Sequence, residues 1–129
     1  MVQEARQKLE LDTYNLLIPV PLHPRRERER EFNQSLVLAR ELGRYYRIPV
    51  LNRVLRRGKP TPPLSGNWKE RVAQIKGAFT LTNPEKVQGK RVLLIDDVFT
   101  TGATVNEGSR ILLQGGAEEV AVFTLARVP

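Results

Sequence analysis

The chain has 129 residues, 40% hydrophobic and 27% charged, the balance of a globular rather than a disordered protein. It is long enough for one domain over residues 1–129 that buries roughly two thirds of its unfolded surface. No apolar run approaches the ~20 residues of a membrane-spanning helix, and Met1-Val2-Gln3-Glu4 lacks the apolar core of a secretory signal, so a cytoplasmic chain is expected. Cysteine is absent and His23 is the sole histidine, which excludes disulfides, thiolate zinc sites and any Ser-His-Asp relay away from residue 23. No set of protein metal ligands is expected.

Val2 to Glu10 has the charged composition of a short helix or a frayed lead-in. Leu16 to Leu22 is an apolar run punctuated by Pro19 and Pro21, which suits a buried strand turning abruptly into a loop. The alternating charges of Arg26 to Glu31 follow. Asn33 or Ser35 then caps a helix whose apolar positions Leu36, Leu38, Ala39, Leu42 and Tyr46 fall mostly at helical spacing. Pro49 stops it near Tyr46. Val50 to Leu55 reads as a second strand.

Gly58 to Asn67 holds three prolines and two glycines in ten residues, the composition of a long loop. Loops of that length inside a compact domain are usually functional or disordered. Trp68 to Ile75 reads as a brief helix and Gly77 to Leu81 as an edge strand. Charge concentrates here: Arg53 to Lys76 carries seven basic residues and one acidic, +6 of the chain's net +7. Such a stretch suits an anionic partner, nucleic acid or polyphosphate, or else a solvated basic face.

Arg91-Val92-Leu93-Leu94-Ile95 is the clearest strand, apolar at successive positions as a parallel strand buried on both faces must be. It runs into Asp96-Asp97-Val98-Phe99-Thr100-Thr101-Gly102-Ala103-Thr104. A helix follows to about Gln114, Gly115-Gly116 ends it, and Val120 to Leu125 is the last strand. Strand, helix, strand in this register is a βαβ unit, so the fold class is α/β.

In an open parallel sheet, ligands bind beyond the carboxyl ends of the strands. Asp96 and Asp97 sit at such an end, and the turn after them leads into a helix N-terminus, whose free N–H groups favour an anion. Gly102 lets the backbone approach a phosphate, and the hydroxyls of Thr100, Thr101 and Thr104 add donors. The acids repel a phosphate and suit hydroxyl donors or a divalent cation. A phosphate beside a diol, as in ribose 5-phosphate, meets both demands. The Gly-rich signatures of other nucleotide sites, G-x-G-x-x-G and G-x-x-x-x-G-K-[ST], are absent from the sequence.

Val92 to Thr104 resembles the phosphoribosyl-diphosphate (PRPP) motif of type I phosphoribosyltransferases. Val20-Pro21-Leu22-His23-Pro24-Arg25-Arg26, then Arg28, Arg30 and Phe32-Asn33-Gln34-Ser35, resemble the signature block of the ComF family of competence-associated phosphoribosyltransferase-like proteins. Arg71 and Gly77-Ala78-Phe79 fall where that family has an R-x-x-N-V-x-G-A-F segment.

The resemblance implies a type I phosphoribosyltransferase-like fold, a mainly parallel central sheet flanked by helices. It implies a glycosyltransferase of nucleoside metabolism that moves ribose 5-phosphate from PRPP to an acceptor the sequence does not name, releasing pyrophosphate. Asp96 and Asp97 would hold the ribose hydroxyls, and Thr100, Thr101, Gly102, Ala103 and Thr104 the 5-phosphate. Leu22, His23, Arg25 and Arg26 would form the pyrophosphate loop, Arg25 and Arg26 as fork-shaped donors. His23 either donates there or packs at the strand end. Asp96, Asp97, Arg25 and Arg26 are the catalytic candidates. Arg57, Lys59, Lys69 and Arg71 would belong to a mobile loop closing over the diphosphate. Mg²⁺ would arrive with PRPP and stay largely water-coordinated.

Departures from the family pattern are Glu31 for glycine, Leu64 for glutamine and Gln74 for asparagine. The family's usual N-terminal Cys-rich zinc segment is absent from this sequence, so a trimmed or naturally short member is expected. The alternative reading is a non-catalytic PRPP sensor or a competence factor partnered by DNA or the uptake machinery. A net +7 is compatible with phosphate-backbone contacts. Four Phe, three Tyr and one Trp, not clustered on a strand, offer little stacking platform.

Overall fold

The computed structural model describes residues 3–4, 13–21, 33–58, 65–99 and 102–127, with 3–4, 97–99 and 125–127 described by backbone alone. In chain order they form β1 (Gln3–Glu4), β2 (Leu16–Pro19), α1 (Gln34–Tyr46), β3 (Leu55–Arg57), α2 (Trp68–Ile75) and β4 (Phe79–Leu81). A 3-10 turn at Pro84–Lys86 leads to β5 (Arg91–Phe99), α3 (Ala103–Gln114) and β6 (Glu119–Arg127). Four strands make a parallel sheet in the order β1-β6-β5-β2, and β3 and β4 form a separate antiparallel ribbon.

The unbroken apolar run of β5 is explained by cover on both faces. Val92, Leu93, Leu94 and Ile95 are each at most 1% exposed. Leu93 and Ile95 pack with Leu17, Ala39, Ile48 and Ala121 on the face covered by α1. Val92 and Leu94 pack on the other face with Leu55, Ile75, Phe79, Val105 and Leu112, from the ribbon, α2 and α3. Gly43 lets α1 come close, since a Cβ there would stand 2.7 Å from the Ile48 carbonyl oxygen and 2.8 Å from Val50 Cγ2.

The connections run in opposite directions. From β2 the chain passes through α1 to Val50, which bridges Leu17 on the outer side of β2. From β5 it passes through α3 to β6, on the far side of β5. The order therefore reverses between β2 and β5, and at such a point a crevice opens beyond the carboxyl ends of the strands.

Three expectations need correction. Residues 3–4, read as part of a short helix or a frayed lead-in, are strand β1, pairing Gln3 with Ala121 and Glu4 with Val122; pairing with the edge of β6 outweighs a helical composition. Residues 5–12 lie outside the described set. Of the strand expected from Val50 to Leu55, only the ends pair: Leu17 donates to the Pro49 carbonyl and accepts from the Leu51 amide, both at 2.9 Å. The chain then leaves the sheet to bury Val54 and Leu55 on the opposite face. Finally, β5 runs on to Phe99, held on one side by β6 as far as the Phe99–Arg127 pair. Among the described residues no helix is long and apolar enough to cross a membrane.

Candidate functional site

Two strand ends and two helix starts meet at the carboxyl edge of the sheet. The last β2–β5 pair is Pro19 with Ile95, and the Val20 amide donates to the Ile95 carbonyl at 2.8 Å. From Asp96 onward β5 has outrun β2, so both acids lie beyond the last β2–β5 pair among the described residues.

Asn33 organises the start of α1. Its Oδ1 accepts from the Ser35 and Leu36 amides at 3.0 and 3.3 Å, which makes Asn33, not Ser35, the cap. Its Nδ2 donates to the Val20 carbonyl at 3.2 Å. One side chain thus ties the start of α1 to the end of β2, bringing both ends of segment 22–32 to the same strand terminus. Ser35, 3% exposed, aims its hydroxyl at half-buried Asp96, Oγ to Oδ1 3.5 Å. That distance is long for a charge-assisted bond.

At the start of α3, the N-cap is Gly102, with φ +84° and ψ 0°, and no side-chain capping bond is seen there among the described residues. The Asn106 amide donates to the Gly102 carbonyl at 2.8 Å, so helical bonding begins there. The amides before Asn106 have no acceptor within the helix and face the end of the first turn. Ala103 is buried and Thr104 half-buried. This is the arrangement in which a helix start receives an anion.

The structure thus brings Asp96, Gly102, Ala103 and Thr104 to one end of the sheet, together with the anchors of segment 22–32. Leu22, His23, Arg25, Arg26, Lys59, Thr100 and Thr101 lie outside the described residues, as do Glu31 and Leu64, and Asp97 is placed by its backbone alone. Arg57 ends β3 rather than starting a loop, with its guanidinium carbon 5.6 Å from the Phe79 ring centroid. Lys69 and Arg71 are on α2. Asn67 and Glu70 form a capping box at its start. Arg71 Nε donates to the Gly66 carbonyl at 2.9 Å. Gln74 brackets Ser65, accepting from its amide at 3.2 Å and donating to its carbonyl at 3.0 Å. Among the described residues no three His, Asp or Glu side chains cluster as a metal cage would need.

Sequence reasoning missed Glu107, a carboxylate only 3% exposed on α3. Arg110 grips it with two bonds, Nε to Oε1 at 2.9 Å and Nη2 to Oε2 at 2.7 Å. The Gly77 amide donates to Oε2 at 3.1 Å. The available signal was an acid within the buried stripe of α3, near Ala103, Gly108 and Leu112, with an arginine three residues on.

The hydrogen bond from Arg110 lowers the Glu107 pKa against the opposing effect of burial, and the Gly77 amide adds to the lowering. A carboxylate whose folded pKa is depressed adds stability above its unfolded pKa and loses it as pH falls through the folded value. Urea midpoints should therefore fall less steeply for Glu107→Gln than for the parent below about pH 4. Parallel slopes would remove Glu107 from the acid-sensitive groups.

Comparison with known proteins bears on the family and the fold. Competence protein F of Haemophilus influenzae is 39% identical over 128 residues, covering 98% of this chain and 56% of that protein. The DNA utilization protein YhgH of Escherichia coli is 36% identical over 129 residues (98% and 55%), and competence protein ComFC of Bacillus subtilis 35% over 120 residues (90% and 46%). The chain spans about half the length of these relatives. Among solved structures, a purine phosphoribosyltransferase from Pyrococcus horikoshii matches with TM-score 0.54 at 20% identity, over 93% of this chain and 65% of that one. A hypothetical protein from Neisseria gonorrhoeae, solved with bound ppGpp, matches with TM-score 0.55 at 16% identity, over 98% and 73%. Both likenesses are of fold. The model of the phosphoribosyl transferase domain matches residues 34–129, and the chain belongs to that family.

Proposed function

We propose that this protein binds PRPP and transfers its ribose 5-phosphate to a nucleophilic acceptor, releasing pyrophosphate. The observation that carries the reading is the placement of Asp96, beyond the end of β2, at the same end of the sheet as the glycine-capped start of α3. An anion site and an acidic site side by side suit a sugar phosphate, the phosphate on the amides and the hydroxyls on the carboxylates.

In the reaction the C1–O bond to diphosphate breaks, with its electron pair leaving on the diphosphate. A bond from C1 to the acceptor forms, and the acceptor loses a proton. The protein's share is positioning and electrostatics. Asp96 and Asp97 orient the ribose, and Arg25 and Arg26 neutralise the departing diphosphate. Arg57 on the ribbon and Lys69 and Arg71 on α2 supply further cations, and Lys59 adds another. Mg²⁺ arriving with PRPP would supply charge neutralisation for the diphosphate, and Asp96 and Asp97 are the residues that would hold it. Two strand-borne acids, with no cage of three such side chains among the described residues, suit an ion that keeps its waters.

A second reading, a PRPP sensor or DNA-associated factor, is favoured by the names of the relatives, competence protein and DNA utilization protein. It is also favoured by Arg40, Arg44 and Arg47, all exposed along α1 and its C-cap. Calorimetric titration with PRPP, with and without Mg²⁺, tests the site that the transferase and the sensor share. Saturable binding strengthened by Mg²⁺ is expected, and no heat at millimolar PRPP would overturn both of these and leave the DNA-associated factor. Pyrophosphate release with candidate amines and nucleobases then supports the transferase. Salt-dependent DNA binding indifferent to PRPP, with no release, would favour the other.

A further inference from the structure

We propose that Glu107 is a positioning residue: it locks the foot of α2 to α3 and so sets where Lys69 and Arg71 stand relative to the first turn of α3. The proposal rests on the PRPP-binding reading for its consequence, and on geometry alone for the lock.

A buried charge must be paired and hydrogen-bonded to be tolerated. Glu107 meets that condition with three directed bonds, two from Arg110 and one from the Gly77 amide. An apolar side chain at the same place would often be as stable. What the carboxylate adds is direction: apolar burial of neighbouring Ile75 and Ala78 holds the foot down without orienting it.

The foot is where the excursion that carries α2 leaves and returns. The Gly58 amide donates to the Ala78 carbonyl at 3.1 Å, and the Ala78 amide to the Ile75 carbonyl at 3.0 Å. Gly77 between them has φ +80°, and a Cβ there would meet nothing within 4 Å. Glycine is needed for the backbone turn that aims its N–H at Glu107, not for space. Above the foot, the capping box and the Gln74–Ser65 bracket make 65–76 one stiff piece. Fixing Gly77 therefore fixes the whole piece.

Glu107 stands four residues along α3 from Ala103, about 6 Å along the axis. The arm bearing Lys69 and Arg71 is hung one turn behind the amides proposed to hold the 5-phosphate. A ligand reaching only those amides should not sense the lock. One that also carries a diphosphate should.

Hydrogen exchange on the free protein and titration with two ligands test this in Glu107→Gln and Glu107→Ala. Gln keeps the shape and one acceptor, so it reports even where Ala prevents folding. Exchange across residues 69–78 should accelerate by about tenfold in Glu107→Ala and less in Glu107→Gln, with peptides from α1 and β5 at parental rates. Affinity for ribose 5-phosphate should stay within about twofold, and that for Mg²⁺–PRPP should fall by about tenfold. Unchanged exchange in both variants, or equal weakening of the two ligands, overturns the proposal. Where even the parent binds no PRPP, the transferase reading fails, and the exchange result alone decides whether Glu107 is the lock.

Discussion

Asp96→Asn/Asp97→Asn, made as a double variant, is expected to weaken PRPP binding at least ~100-fold and to leave the fold intact. A hydrogen bond to a charged acceptor contributes about 1.5–3 kcal/mol, and an amide replaces that acceptor with a weaker one and an unwanted donor. The two residues are neighbours on β5, so their effects will not add in full. Even the lower estimate for each leaves about two orders of magnitude. The fold should survive because Asp96 is half-buried and lies beyond the last β2–β5 pair. The Ser35 hydroxyl, 3.5 Å from Asp96 Oδ1, can still donate to an amide oxygen. Titration calorimetry measures the loss, and a parental urea midpoint shows that it is local. A double variant that binds PRPP like the parent would remove the acids from the ribose site. Inorganic phosphate should bind the variant at least as tightly as the parent, since it makes no bond to the carboxylates and is repelled by their charge.

How far the sequence was readable depends on how local each determinant is. The bounds of α1 and α2 follow from caps two or three residues from the groups they satisfy, Asn33 with Ser35 and Leu36, Asn67 with Glu70. Strand β5 was readable because burial on both faces leaves a four-residue apolar run, Val92 to Ile95. The same locality made the turn proposed to hold the phosphate legible, since Asp96 and Gly102 are six residues apart. The rest is set by distant partners. Strand β1 exists through Ala121 and Val122, and the course of residues 50–55 through the two clusters it links. Ser35 and Asp96 are 61 residues apart, and Gly77 and Glu107 are 30 apart. Composition carries no trace of such meetings. Arg110 with Glu107, three residues apart on one helix, was within reach of periodicity alone. What it could not show is that the pair grips Gly77 on another element.

Gly102→Val is expected to abolish binding of PRPP, ribose 5-phosphate and inorganic phosphate together, the pattern that separates it from the acidic pair. Gly102 holds φ +84° and ψ 0°, a left-handed conformation that an L-residue enters at about 1–2 kcal/mol and a β-branched one with still more difficulty. The variant has two ways out. It can keep the backbone and place a branched side chain beside the first amides of α3, where a phosphate would otherwise sit. Or it can flip to negative φ, moving the carbonyl that accepts from the Asn106 amide at 2.8 Å and unravelling the first turn. Either route removes the cradle, because the amides are useful only while they converge. A fall in stability of about 1–3 kcal/mol should accompany the loss, read as a lower urea midpoint with an unchanged slope. Gly102→Ala separates the two causes: it keeps the left-handed strain but adds only a methyl group. It should lose similar stability yet retain weakened phosphate binding. Should Gly102→Val still bind phosphate with parental affinity, the start of α3 is not the anion site, and the reading of the crevice falls with it.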